Sequence, residues 1–195
     1  MEKLIGRERE LKELEWAVNS NRCEFITLYG RRRVGKTFLV RTFFNDNYSF
    51  HYVGAHRKPK SVQLQNFRES LGRYFHGADI PEITNWHDAF LTLESCLESC
   101  DDSRKVLFFD EMPWMDTHGS DFVDELEYFW ANWVQNRDDI VFVACGSATS
   151  WMKEKIEDNQ GGLHNRITHR IYLRPFYLSE CRDYLESRGF EWDDY

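Results

Sequence analysis

Residues 30 to 37 read Gly-Arg-Arg-Arg-Val-Gly-Lys-Thr, with Gly30, Gly35, Lys36 and Thr37 at the fixed positions of G-x-x-x-x-G-K-[ST]. That spacing suits a triphosphate with its magnesium. A tight glycine-flanked loop turns backbone N–H groups inward toward phosphate, and the dipole of a following helix favours the negative charge. Lys36 adds a point charge at the outer phosphates, and Thr37 offers a hydroxyl oxygen to the metal. The pattern would arise by chance in a chain of this size about 1% of the time. Arg31, Arg32, Arg33 and Val34 contribute only backbone to such a loop, so the three guanidinium groups need another account. They either face solvent, the simplest reading for Arg31 and Arg32, or meet a neighbouring subunit or a nucleic acid.

Some 70 residues on, the apolar run Val106-Leu107-Phe108-Phe109 ends in Asp110-Glu111. A carboxylate at Asp110 would hold magnesium, and Glu111 could take the proton of an attacking water or orient it. Ser147, in Gly146-Ser147-Ala148-Thr149, could hydrogen-bond the last phosphate or the water, or could simply cap a turn. Arg166 and Arg170 could reach a nucleotide on an adjacent subunit, or form ordinary surface ion pairs. The guanine signature Asn-Lys-x-Asp does not occur, which favours ATP over GTP.

These residues need a scaffold of alternating strands and helices. Leu11, Leu14 and Val18 recur at helical spacing. Phe25 to Tyr29 reads as a strand ending at Gly30, and Lys36 to Phe44 as the helix beyond the loop. Tyr48 to Val53 is a second aromatic strand, followed by the solvated connection Arg57-Lys58-Pro59-Lys60. Trp86, Phe90, Leu93 and Leu97 mark a helix, with Asn85 as N-cap and Asp88 in its first turn. Val106 to Phe109 and Ile140 to Gly146 read as strands buried on both faces. Phe122, Leu126, Phe129 and Trp133 form a helix between them, Arg170 to Leu173 is a last short strand, and another helix starts near Ser179. The expected class is α/β, with a parallel sheet covered on both sides and ligands at the carboxyl ends of its strands.

Composition narrows the field. The 195 residues are 42% hydrophobic and 30% charged, ordinary for one globular domain. No run is long and apolar enough for a membrane span, and the N-terminus lacks the apolar stretch of a secretory signal. A cytoplasmic protein is expected. The cysteines Cys23, Cys96, Cys100, Cys145 and Cys181 are odd in number and scattered, which fits neither a disulfide framework nor zinc spacing. Cys96 and Cys100 would share a helical face. A formal charge of −8 argues against the whole surface being a nucleic-acid footprint. The histidines lack metal-ligand spacing, and the tryptophans are expected mainly in the core.

Ile5-Gly6-Arg7-Glu8, the loop Gly30 to Thr37, Phe108-Phe109-Asp110-Glu111, Cys145-Gly146-Ser147 and Leu173-Arg174-Pro175-Phe176 together resemble the archaeal-type ATPases of archaea and bacteria, in the AAA+/STAND branch of P-loop ATPases. The resemblance spans nearly the whole chain. It implies a three-layer α/β/α core over residues 1–178 with sheet order 5-1-4-3-2, and the beginning of a helical lid at 179–195. It further implies ATP and Mg2+ as ligands, Thr37 and Asp110 at the metal, Glu111 as catalytic base, Ser147 as sensor, Arg166 as a finger toward a neighbour, and Arg7 near the adenine. Relatives continue into winged-helix and nuclease-like modules. The expected activity is therefore ATP hydrolysis driving a conformational switch, with self-association or a protein partner, and with DNA reached only through further modules. A nucleotide-binding switch with negligible hydrolysis and a P-loop kinase are the alternatives.

Overall fold

A computed structural model describes residues 4–158 and 161–190. Its five strands are β1 (Glu24–Tyr29), β2 (Phe50–Val53), β3 (Lys105–Asp110), β4 (Ile140–Gly146) and β5 (His169–Tyr172). They form one parallel sheet in the order β2-β3-β4-β1-β5, which is the expected 5-1-4-3-2 read from the other edge. The three central strands are buried along their whole length, because a parallel sheet carries helices on both faces.

Alternation along those strands separates two unlike cores. Ile26, Leu28, Val106, Phe108, Val141, Val143 and Cys145 face α1 (Glu8–Asn19) and α2 (Lys36–Phe44) in a mainly aliphatic layer. Phe25, Tyr29, Leu107, Phe109 and Phe142 face α3 (Lys60–Tyr74), α4 (Trp86–Glu98) and α5 (Phe122–Asn132) in an aromatic one. There Phe109 stacks on Phe142 with ring centroids 4.8 Å apart, and Phe25 on Trp130 at 4.7 Å. Such offset pairs add to what area burial contributes. The expected cap of α4 is present: Asp88 N donates to Asn85 Oδ1 at 2.8 Å, and Asn85 Nδ2 donates to Asp88 Oδ2 at 2.7 Å.

Four details differ from the sequence reading. Strand β2 begins at Phe50, and Tyr48 instead packs its ring on Phe108, 5.4 Å between centroids. Helix α4 ends at Glu98, so Cys100 lies beyond it and shares no helical face with Cys96. After the short α6 (Thr149–Trp151) the chain widens into a π-helical stretch, Met152–Glu157, that no periodicity announces. Trp86, Trp130 and Trp133 are core residues, but Trp16 is 52% exposed and Trp192 lies outside the described residues.

All five cysteines are unpaired. No helix among the described residues is long and apolar enough to cross a membrane. Helix α7 (Leu178–Ser187) begins where the lid was expected.

Candidate functional site

The phosphate-type loop leaves β1 at Gly30 and enters α2 at Lys36. Gly30 has φ of 150°, and a Cβ there would lie 2.3 Å from the Leu173 carbonyl oxygen, so only glycine lets the loop start against the segment after β5. Arg33 and Gly35 take positive φ of 65° and 94°. Gly35 is the N-cap of α2 and has no side chain to bond the first-turn amides. Those amides therefore stay open toward the loop, as anion binding requires. The Lys36 ammonium donates to the carbonyls of Gly30 at 2.9 Å and Arg31 at 3.0 Å. An ammonium has three donors, so these two bonds aim it across the loop and leave one N–H for a ligand.

Three strand ends converge on this point. Thr37 Oγ1 donates to Asp110 Oδ2 at 2.8 Å, which joins the first turn of α2 to the end of β3. The other Asp110 oxygen accepts from Glu111 N at 2.9 Å. Glu111 itself sits in the left-handed region, φ 48°, a conformation that is costly for a residue with a Cβ and recurs at functional positions. Its carboxylate accepts from Ser147 Oγ at 2.9 Å, so the residue after β4 holds the residue after β3. Cys145, directly beneath, is fully buried. Burial pushes its thiol well up, and the neighbouring Asp110 adds to the effect. It stays protonated beside that carboxylate.

Magnesium takes oxygen ligands at about 2.0–2.1 Å in octahedral geometry, so adjacent ligands stand about 2.9 Å apart, and it usually keeps several waters. The Thr37 and Asp110 oxygens have that chemistry and nearly that separation. Among the described residues no group of three or more His, Cys, Asp or Glu could form a cage for a metal. A two-oxygen edge completed by phosphate and water is the arrangement that suits magnesium.

Beside the loop opens a cavity of about 630 Å³, lined by Arg7, Arg33, Val34, Phe38, Phe176 and Tyr184 among others. Arg7 is 7% exposed and in the left-handed region, φ 66°. It donates to the Val34 carbonyl at 3.1 Å and lies 4.4 Å over the Phe176 ring. Its backbone N–H donates to Glu180 of α7 at 3.4 Å. The cavity is therefore walled jointly by the chain start, the loop and α7. A larger hollow of about 930 Å³ lies by Tyr48, Tyr74 and Asp102, and none of the loop residues lines it.

Arg166 is not brought to this site. It precedes β5, whose first residue, His169, is level with Ile26 of β1, about 13 Å of strand before Gly30 at roughly 3.3 Å per residue. At that end it is exposed, and its charge partly offsets the rise that burial imposes on the Cys23 thiol. Arg170 is exposed too and donates to the His164 carbonyl. Arg31 and Arg32 are exposed, as is Arg33. Arg32 also lies 5.8 Å over the Trp114 ring.

Two buried residues escaped the sequence reading. Gln63 of α3 is fully buried and receives Ala55 N and Tyr52 OH on its carbonyl oxygen, each at 2.9 Å. Its amide donates to the carbonyls of Ala55 at 2.6 Å and Trp114 at 2.8 Å. Glu157 of the π-helical stretch accepts from Thr27 Oγ1 at 2.6 Å and Tyr29 OH at 3.2 Å. Burial and then the Glu157 charge push the Tyr29 hydroxyl up to about 12. Neither residue sits in a recognisable motif, because each is satisfied by groups on other elements that only the fold brings to it.

A sequence profile described as an ATPase domain predominantly from Archaea matches residues 4–191. An uncharacterized protein of Methanocaldococcus jannaschii is 23% identical over 187 residues, 96% of this chain and 39% of that protein. An uncharacterized ATP-binding protein of the same organism is 48% identical over 42 residues, 22% of this chain and 71% of that protein. Among solved structures, a Walker-type ATPase of Pyrococcus abyssi aligns with TM-score 0.67 and 21% identity over 96% of this chain and 58% of that one. The ORC2 protein of Aeropyrum pernix, in ADPNP and ADP complexes, aligns with TM-score 0.69 and 16% identity over 97% and 53%. The ORC1 protein of Aeropyrum pernix, in complex with DNA, gives 0.65 and 18% over 97% and 50%. The structural likenesses establish the fold, a P-loop α/β/α core, and the chain spans little more than half the length of these structures at most. With the profile covering nearly all of it, the chain belongs to the family of ATPase domains found predominantly in Archaea.

Proposed function

We propose that this domain hydrolyses ATP to ADP and phosphate with magnesium, and that its nucleotide state switches the conformation of a larger assembly. One observation carries the reading: a carboxylate, Glu111, is held by Ser147 beside the Thr37–Asp110 oxygen pair at the mouth of the loop. That is where a water attacking the last phosphate would stand.

Each residue then has a task. The loop amides from Arg31 to Lys36 hold the phosphates, and the free N–H of Lys36 reaches the outer ones. Magnesium on Thr37 and Asp110 would neutralise charge that builds on the phosphate oxygens. Glu111 accepts the proton of the attacking water, and Ser147 keeps its carboxylate turned toward that water. The cavity by Arg7 and Phe176 has the volume and mixed lining for a purine and ribose. Arg166 serves this chain's own site from nowhere it stands, so a finger role belongs to contact with a second subunit. Longer relatives suggest further modules, through which DNA would be reached. Five unpaired cysteines favour a reducing, cytoplasmic setting.

Turnover of wild type beside Glu111→Gln, each with ATP and magnesium and with or without DNA, tests the reading. Wild type is expected to exceed the variant by about 10² to 10³-fold. Equal rates under all conditions would leave a nucleotide-binding switch without hydrolysis. Phosphate appearing on an added acceptor instead of in solution would make it a kinase.

A further inference from the structure

The phosphate chemistry leaves the Arg31 and Arg32 side chains unused, and a second basic segment shares the Trp114 ring with Arg32. Trp114, three residues after Glu111, receives the His56 ring edge-on at 4.2 Å between centroids and has Arg32 over its face. The loop from β1 and the loop from β2 thus meet on one indole. Arg57 and Lys58 follow His56 and are exposed, as are Arg31 and Arg32. None of these four cations forms an ion pair among the described residues, although acids outnumber bases 33 to 25 in the chain and Lys60, nearby, does pair with Asp121 at 2.7 Å. Arg57 is held at φ 53°, so the loop presents it in a fixed, unfavourable backbone conformation.

This rim is bolted to the catalytic turn. A Cβ on Gly54 would stand 2.5 Å from the Glu111 carbonyl oxygen and 3.2 Å from Trp114 Cβ. Gln63 bonds Ala55 through both its N–H and its C=O, and the Trp114 carbonyl through the same amide. A displacement of residues 55–58 therefore reaches the turn that sets Glu111.

We propose that Arg31, Arg32, Arg57 and Lys58 bind the phosphodiester backbone of a nucleic acid, and that Gln63 and Trp114 transmit its occupancy to Glu111. A repeating phosphate chain fits four separated, unpaired cations in two loops better than a compact anion does, and guanidinium groups favour phosphate oxygens. The transmission half rests on the hydrolysis reading, whereas the binding half does not.

The test uses a fluorescein-labelled 20-nucleotide single strand read by anisotropy, with ATPase turnover measured on the same samples. Four phosphate contacts give a slope of log affinity against log salt near roughly −3, and losing two should about halve it. Arg57→Glu with Lys58→Glu is expected to weaken binding more than about tenfold, halve the slope and abolish stimulation by the strand while basal turnover persists. Gln63→Glu is expected to keep the strand bound but lose the stimulation. Unchanged affinity in the double variant, or tight binding of polyglutamate in place of the strand, overturns the surface. A bound strand that leaves wild-type turnover unchanged, with wild type still faster than Glu111→Gln, overturns the transmission. No turnover above Glu111→Gln in any sample sinks the hydrolysis reading instead, and the anisotropy alone then judges the surface.

Discussion

At the amino end of the sheet a group of charges forms a paired network. Asp139 accepts from Arg137 at 2.7 Å and from Lys105 at 2.9 Å, Arg137 also reaches Glu98 at 2.6 Å, and Arg22 meets the buried Glu24 at 2.8 Å. At the carboxyl end Arg31, Arg32, Arg57 and Lys58 lack such partners among the described residues, Arg33 and Glu111 take positive φ, and Gly30 and Gly54 press against backbone. Both ends belong to the same five strands, so the contrast cannot come from the sheet. One end carries a network of ion pairs that stabilises the fold. The other gathers cations without ion-pair partners beside the turn that carries Glu111, an arrangement open to a charged ligand.

If that division is right, changes at the two ends should be read by different instruments. Glu111→Gln should cut turnover by about 10² to 10³-fold while the melting temperature and nucleotide affinity stay close to wild type. A comparable loss of folding would break the comparison. Gly30→Ala is the exception that sharpens it, because its cause is packing: a methyl group 2.3 Å from the Leu173 oxygen should cost about 3 kcal/mol of stability. A urea midpoint equal to that of wild type would refute the close approach.

Asp139→Asn should do the reverse of Glu111→Gln, lowering stability by about 1–2 kcal/mol at neutral pH with turnover unaltered. The Arg137 hydrogen bonds, with help from Lys105 and against burial, lower the Asp139 carboxyl from 3.8 to about 2. A depressed folded-state value means that stability is complete above about pH 4 and is lost as pH falls toward 2. Thermal melts across that window should show a smaller decline for the variant than for wild type. The smallest effect is expected from Ser147→Ala, which removes one hydrogen bond to Glu111. That is worth about 1 kcal/mol, or roughly five- to tenfold in turnover, with no change in the melt. An effect as large as that of Glu111→Gln would mean that Ser147 touches the reacting atoms directly.

Much of the fold was legible because its signals are local. Continuous apolar runs marked β3 and β4, the loop pattern placed α2 at Lys36 to Phe44 with both ends correct, and Asn85 with Asp88 marked the start of α4. The start of β2 was missed because Tyr48 has a strand-forming side chain but spends it on Phe108. Gln63 and Glu157 were invisible for a related reason. A buried polar residue looks like any surface one until the groups that satisfy it are known, and here they come from β1, β2 and the turn after β3.

For the candidate site, residue types alone pointed to the loop, Thr37, Asp110, Glu111 and Ser147, since each proposed role demands a particular atom: a small residue at a tight turn, an ammonium, a hydroxyl or a carboxylate. Which of them touch was decided by the sheet. The parallel order β3-β4-β1 sets the ends of three strands side by side, so Thr37 meets Asp110 and Ser147 meets Glu111, while Arg166, placed before β5, is carried to the opposite end. Sequence specifies the chemistry residue by residue because side-chain atoms are covalent facts. Contact between residues separated by 36 or 73 positions exists only once the chain has closed into its sheet.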